Sequence, residues 1–111
     1  MFTNKFRLRK KEEVDLVFRS GKTVAIPGLA FRFLKNSLAH PRIAVIVGKK
    51  LSPRAVDRNR IRRRLREIAR NHLEQIPSDI DLLVIARDLK LREIDFAELT
   101  RKFLELLSKI N

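Results

Sequence analysis

The chain contains no cysteine. That excludes a disulfide framework, a cysteine-ligated zinc site and a thiol nucleophile, and it fits a reducing compartment. No apolar run approaches the ~20 residues of a membrane-spanning helix, and no secretory h-region follows the opening MFTNKFRLRKK. The expectation is a soluble, cytoplasmic protein with no membrane partner. A glycine-rich phosphate loop is missing, as is a Ser-His-Asp constellation. Only two His occur. His72 falls on an apolar helical stripe and His40 precedes Pro41 in a loop, so neither reads as a catalytic base. Cleavage of a phosphodiester by a protein-held metal would need convergent carboxylates or His. Asp79 and Asp81 read as the charged start of a strand. Asp57 reads as an acid favouring a helix dipole, with a metal role as the lesser alternative. No catalytic residue is expected in the protein.

Positive charge is what the chain has in excess. Its 111 residues carry 26 Lys or Arg against 13 Asp or Glu, for a net charge of +13. The length suits one domain with one modest core, and 44% hydrophobic content marks the chain as globular. The charge is unevenly placed. Residues 49–70, KKLSPRAVDRNRIRRRLREIAR, hold ten Lys or Arg and two acids, a local net of +8. Residues 1–11 hold five basic groups and no acid, whereas residues 79–111 are close to neutral, with six basic and seven acidic groups. Charge needed only for solubility would be spread out. Two basic clusters beside a neutral scaffold point to a directed electrostatic face.

Hydrophobic spacing organises the rest. Residues 1–9 read as an extended basic arm with Lys5, Arg7 and Arg9. A helix is predicted over 11–20, with Val14, Val17 and Phe18 at i, i+3, i+4 and Gly21 placed to stop it. Strands are predicted at 23–26 and 29–35, divided by Pro27-Gly28. Leu29, Phe31 and Phe33 share the core face of the second, and Ala30, Arg32 and Leu34 share the other. RIAVIVG at 42–48 is a short β-branched run and reads as a central strand. A long helix begins near Ser52-Pro53 and closes around 74–77. IDLLVIAR at 80–87 is a further buried strand. A last helix starts at Asp95 with Glu98 as a capping-box partner, and its buried stripe is Phe96, Leu99, Phe103, Leu106 and Ile110. The order is α-β-β-β-α-β-α, a single α/β domain. Strands 42–48 and 80–87 flank the long helix and must be parallel. The general rule favours a right-handed crossover there.

At 100° per residue, Ile61, Leu65, Ile68 and His72 cluster on one side of the long helix. Asn59, Arg63, Arg66 and Arg70 form a flanking stripe, Arg62 borders it, and Arg60 and Arg64 lie on the far side. Arg58 falls on the apolar side in the first turns. Arginines at i, i+3 and i+4 repel by a few tenths of a kcal/mol per pair, so a helix shaped only for stability would interleave Glu. Guanidinium groups pair bidentately with phosphate, and a nucleic-acid backbone would offset the repulsion. A merely solvated basic face is the plain alternative, and the ten-to-two imbalance argues against it. A basic membrane-surface helix is weaker still, because apolar bulk beyond the core's needs is lacking.

RAVDRNRIRRRLRE resembles the signature of the bacterial ribonuclease P protein subunit, standing here as Ala55, Val56, Asp57, Arg58, Asn59, Arg60, Ile61, Arg62, Arg63, Arg66 and Glu67. Lys49-Lys50 after an apolar strand, the pattern Val17-Phe18-Arg19-Ser20-Gly21 and the strand end Val84-Ile85-Ala86-Arg87 are also similar. The resemblance implies an α/β sandwich with a four-stranded mixed sheet and an unusual left-handed β-α-β crossover. It implies that Lys49, Lys50, Arg54, Arg58, Asn59, Arg60, Arg62, Arg63, Arg66 and Arg70 contact a catalytic RNA subunit. It further implies a cleft for the 5′ leader of precursor tRNA, between the first helix and the sheet, at Val14, Phe18, Ala30, Arg32, Ala44 and Ile46. Mg²⁺-dependent endonucleolytic removal of the leader would belong to the RNA, which would hold most of the Mg²⁺. This chain departs from the family at Val14, where Phe is usual, and in the loop 51–54, which lacks the usual Gly. A basic ribosomal protein or another nucleic-acid binder without an enzymatic partner is the competing class. A helix-turn-helix reader is disfavoured because strand 42–48 occupies the place of its second helix.

Overall fold

The Pro27-Gly28 break folds into a tight hairpin. In the computed structural model, which describes residues 4–110, β1 (Lys22–Ile26) pairs antiparallel with β2 (Leu29–Lys35), and Ile26 lies opposite Leu29. Gly28 takes φ 88°, the left-handed value required at the third position of a type II turn, and Pro precedes it as that turn prefers. β3 (Arg42–Ile46) runs parallel to β4 (Ile80–Ala86), and β4 runs antiparallel to β2. The strand order is β1-β2-β4-β3, a mixed four-stranded sheet as the sequence predicts.

Three helices cover it: α1 (Lys11–Ser20), α2 (Ala55–Asn71) and α3 (Phe96–Leu107). The period-two alternation of the strands divides the apolar side chains between two faces. Leu29, Phe31, Ile43, Val45, Leu82 and Val84 pack with Ile61, Leu65 and Ile68 of α2 and Leu99, Phe103 and Leu106 of α3. The Phe31 and Phe103 rings meet edge to face with centroids 4.9 Å apart. Burying each of these large side chains contributes about 1.5–3 kcal/mol. On the opposite face, Val17 of α1 joins Leu8 and Leu83, with Val14, Leu34, Ala44, Ile46 and Ile85 half-buried around them. The sheet is thus sandwiched, with the arginine-bearing helix on one side and α1 on the other. No helix among the described residues is long and apolar enough to cross a membrane.

Several local expectations are corrected. The arm is not a free extended segment. Asn4–Phe6 is a turn of 3-10 helix, Arg7 bridges Ile43 in parallel, and the Leu8 N–H donates to the Ile43 carbonyl at 3.0 Å. The single leucine between Arg7 and Arg9 docks the arm and covers the open edge of β3; residues 1–3 of the expected arm lie outside the described residues. Gly21 does not end α1 by a left-handed turn, since its φ is −80°. Close packing requires it, because a Cβ there would stand 2.6 Å from the Val17 carbonyl oxygen and 2.7 Å from that of Phe33. The residue capping α2 is Arg54, with no side-chain cap bond; Ser52 turns its hydroxyl elsewhere. α2 ends at Asn71, with the half-buried His72 as its C-cap and a 3-10 turn at Leu73–Gln75 after it. Asp95 caps α3 without a side-chain bond, and Glu98 pairs with Arg101 at 2.7 Å instead of reaching back. Phe96 is 40% exposed and lies under the Arg64 guanidinium, 5.9 Å from its ring centroid, not in the core.

Candidate nucleic-acid interface

Helix α2 presents two kinds of arginine. Four are tied to the protein's own backbone. Arg58 donates to the Ser52 carbonyl at 2.9 Å, Arg60 to that of Arg92, Arg62 to that of Val47 at 3.3 Å, and Arg64 to those of Leu91 and Ile94. Leu91 and Arg92 belong to a 3-10 turn, Leu89–Arg92, beside the first half of α2. Arg70 pairs with Glu67. Arg63 and Arg66 are exposed and have no hydrogen-bond or ion-pair partner among the described residues. The wheel places their stripe correctly. Tertiary contacts that no helical period reveals take Arg60 and Arg64 out of the purely solvent-facing set.

The second kind faces a groove. Arg7, Leu8 and Arg9 of the docked arm, Val14 of α1, Ile43, Ala44, Val45 and Ile46 along β3, and Arg66 of α2 line a cleft of about 270 Å³. Val14, Ala44 and Ile46 give it apolar side chains, and Arg7, Arg9 and Arg66 give it cations. Arg66 is exposed, yet partial burial of its guanidinium against the groove lowers its pKa, and the charges of Arg7 and Arg62 lower it further. An anion seated between Arg7 and Arg66 would reverse that balance, because opposite charge favours the ionised form. Arg7 also lines a neighbouring bay of about 620 Å³ with Asn4, Lys5, Arg9, Lys10, Glu13 and Arg42. Arg42 is occupied there: it holds Asp81 through bonds of 2.9 and 2.7 Å and Glu13 at 2.7 Å. Its hydrogen bonds to Asp81 chiefly, and those to Glu13, keep it raised above the usual arginine value. Arg7 therefore joins two basic surfaces into one continuous path across the β3 edge.

The structure gathers the residues expected for a leader cleft only in part. Val14, Ala44 and Ile46 line the groove. Phe18 stands 42% exposed on α1, one turn further along and not on the groove wall. Ala30 is fully buried and offers no surface. Arg32 is not a free cation, since its Nε donates to the carbonyls of Val17 and Phe18 at 3.0 and 2.8 Å and its Nη1 to Thr23 Oγ1 at 2.6 Å. Alternation assigns both residues to the correct face, and the end of α1 covers that stretch of it. Arg32 satisfies the Phe18 carbonyl of the last helical turn and shares that of Val17 with the Gly21 N–H. Lys49, Lys50 and Arg54 are exposed in the turn joining β3 to α2, and Asn59 is exposed while accepting from Arg62 at 2.8 Å. Lys5 and Arg9 are exposed on the arm, Lys5 5.3 Å over the Phe6 ring and Arg9 donating to Asn4 at 3.0 Å.

Asp57 is 8% exposed and its carboxylate is occupied. Oδ2 accepts from the Ser52 hydroxyl at 3.1 Å, and Oδ1 lies 3.1 Å from Arg92 Nη1. Burial alone would push this carboxyl up. The bonds from Ser52 and Arg92, with the charges of Arg92 and Arg54, outweigh burial and hold it below its ordinary value. A Mg²⁺ ion needs several oxygen ligands in near-octahedral array. Among the described residues no three His, Asp or Glu side chains converge on one point. The sequence offered no direct sign of the Ser52–Asp57–Arg92 contact, nor of Arg7 meeting Arg66. The lone Leu8 within a basic arm was the available hint for the latter.

An α/β sandwich with a cationic helix flank, and a groove whose arginines lack acidic partners among the described residues, has the character expected of the class of proteins that bind a phosphate backbone. Comparison narrows the class. The family model described as Ribonuclease P matches residues 2–111. The ribonuclease P protein component of Thermotoga maritima is 35% identical over 113 residues, covering 98% of this chain and 95% of that one. That of Legionella pneumophila is 38% identical over 81 residues, covering 73% and 68%. The solved RNase P protein from Thermotoga maritima superposes with a TM-score of 0.85 at 31% identity, covering 95% of this chain and 97% of that chain. The Staphylococcus aureus RNase P protein gives 0.80 at 26% identity, covering 94% of each. The chain belongs to the ribonuclease P protein family.

Proposed function

We propose that this chain serves as the protein component of a ribonuclease P, the ribonucleoprotein that removes the 5′ leader of precursor tRNA. The observation that carries the reading is the groove in which Arg7 and Arg66 face each other across apolar β3 with no acid between them. A single RNA strand brings both a phosphate for the cations and base surface for the apolar side chains. The free flank of α2, with Arg63, and the Lys49–Lys50 turn engage the catalytic RNA, and the groove and Phe18 engage the leader. Hydrolysis and its Mg²⁺ belong to the RNA. Four of its acids fit that division, because they hold the protein's own cations: Asp81 and Glu13 hold Arg42, Asp57 holds Arg92, and Asp79 faces Lys35 at 3.7 Å. The test compares precursor and mature tRNA binding to the catalytic RNA with and without the protein. The protein should tighten precursor binding and leave mature tRNA unchanged. Equal tightening of both would remove the leader from the account.

A further inference from the structure

Asp57 is the one acid in the first turn of α2, in a segment with net charge +8, and it is buried. A carboxylate beside a phosphate-binding surface should weaken that surface by repulsion unless it does something more useful. Its contacts show what it holds. Through Ser52 it reaches the turn that carries Lys49, Lys50 and Arg54. The Ser52 hydroxyl also accepts the Arg54 N–H at 3.2 Å, and the Ser52 carbonyl takes Arg58 at 2.9 Å. Through Arg92 it reaches the 3-10 turn Leu89–Arg92, which Arg60 and Arg64 clamp from the same helix. The turn just before α2 and the 3-10 turn far along the chain thus meet on one carboxylate of the helix. Arg58, the Leu51 N–H on the Gly48 carbonyl at 3.1 Å and Leu51 packed against the core also hold the turn, but Pro53 and Arg54 are exposed and α2 has no side-chain cap, so Asp57 is the side-chain tie from the turn to the 3-10 segment.

We propose that Asp57 is a positioning residue for RNA binding: by holding Ser52 and Arg92 it locks the 48–54 turn onto α2, so that Lys49, Lys50 and Arg54 stand in register with Arg63 and Arg66. This rests on the reading that the turn and α2 contact the catalytic RNA. Two mechanisms give opposite signs. If Asp57 acts only as a negative charge, Asp57→Asn, nearly isosteric, raises the net positive charge and tightens RNA binding. If it positions the turn, the same change weakens binding although the protein has become more basic.

The experiment measures equilibrium binding of the catalytic RNA from 50 to 200 mM KCl for the full chain, Asp57→Asn, the Lys49→Ala/Lys50→Ala double variant, and the triple combination. Asp57→Asn should lose roughly three- to tenfold in affinity, with a salt dependence shallower by about one phosphate contact. In the Lys49→Ala/Lys50→Ala background it should cost less than about twofold, because two of the three cations it positions are gone. Tighter binding by Asp57→Asn, or an equal loss in both backgrounds, overturns the proposal. If the double lysine variant alone binds with unchanged affinity and salt slope, the assignment of the turn to RNA fails as well, and that result is visible without Asp57. Should Asp57→Asn be unfolded at the assay temperature, Ser52→Ala removes the same link at constant charge. It must reproduce the direction of the loss, and wild-type affinity in Ser52→Ala overturns the proposal.

Discussion

Arg66→Ala separates the two kinds of arginine on α2 most cleanly. Arg66 has no acidic partner among the described residues, and the charges of Arg7 and Arg62 act against it. Removing it should leave stability unchanged or raise it by a few tenths of a kcal/mol. Its effect on RNA should be that of one phosphate contact. For a single strand, each contact contributes about 0.7 to the slope of log K against log salt. Between 50 and 200 mM salt that slope amounts to a factor of about 2.6. The affinity deficit of Arg66→Ala should therefore shrink by about that factor across the range. Fluorescence anisotropy with a labelled single-stranded RNA oligonucleotide measures it, and a thermal melt of the same samples checks the fold. A parallel shift of the binding line, with the slope intact, would refute the assignment of Arg66 to a phosphate. A lowered melting midpoint would show that Arg66 is structural after all.

Arg64→Ala should behave in the opposite way. Loss of its bonds to the Leu91 and Ile94 carbonyls and of its stacking on Phe96 should cost about 1–3 kcal/mol and lower the melting midpoint by roughly 4 °C or more, with the salt slope kept; an unchanged midpoint would contradict the clamp. Gly21→Ala places a Cβ against the Val17 and Phe33 carbonyls and should cost about 1–3 kcal/mol, a loss that denaturant unfolding would register and that a wild-type midpoint would exclude. Asp57 has a depressed carboxyl pKa. Its contribution is present above the unfolded value and is lost as pH falls through the folded one. Wild-type stability should drop more steeply than that of Asp57→Asn below about pH 4, and parallel acid titrations of the two would reveal equal slopes if the carboxylate carried nothing.

The parts of the fold legible in the sequence are those set by local period and turn chemistry. Alternation along residues 29–35, the apolar run at 42–48, of which Arg42–Ile46 is strand, and Pro27-Gly28 give the strands and their turn, and i, i+3, i+4 spacing gives most of the buried sides of the three helices, Phe18 and Phe96 excepted. What stayed hidden depends on groups far apart in the chain. Gly21 looked like a left-handed stop, yet it is demanded by Phe33 of the neighbouring strand. Arg32 looked like a free cation on a binding face, yet it closes α1. Arg60 and Arg64 lie off the apolar stripe as the wheel says, but the Leu89–Arg92 turn, which no periodicity announces, comes to meet them. Phe96 fitted the stripe of α3 and is drawn to Arg64 instead. In the candidate site, Val14, Ala44 and Ile46 came from the family resemblance, and they lie together on the α1 face of the sheet. The pairing of Arg7 with Arg66 was not legible, because it requires knowing that Leu8 docks the arm on β3.

The central claim is that this chain assists a catalytic RNA and does no chemistry itself. Reconstitution at limiting Mg²⁺ tests it most directly, with cleavage of a precursor tRNA followed for the RNA alone, the protein alone and the two together. The account predicts cleavage at the mature 5′ boundary, faster for the pair than for the RNA alone, and no cleavage by the protein alone. Cleavage by RNA-free protein, or a pair no faster than the RNA alone, would contradict it.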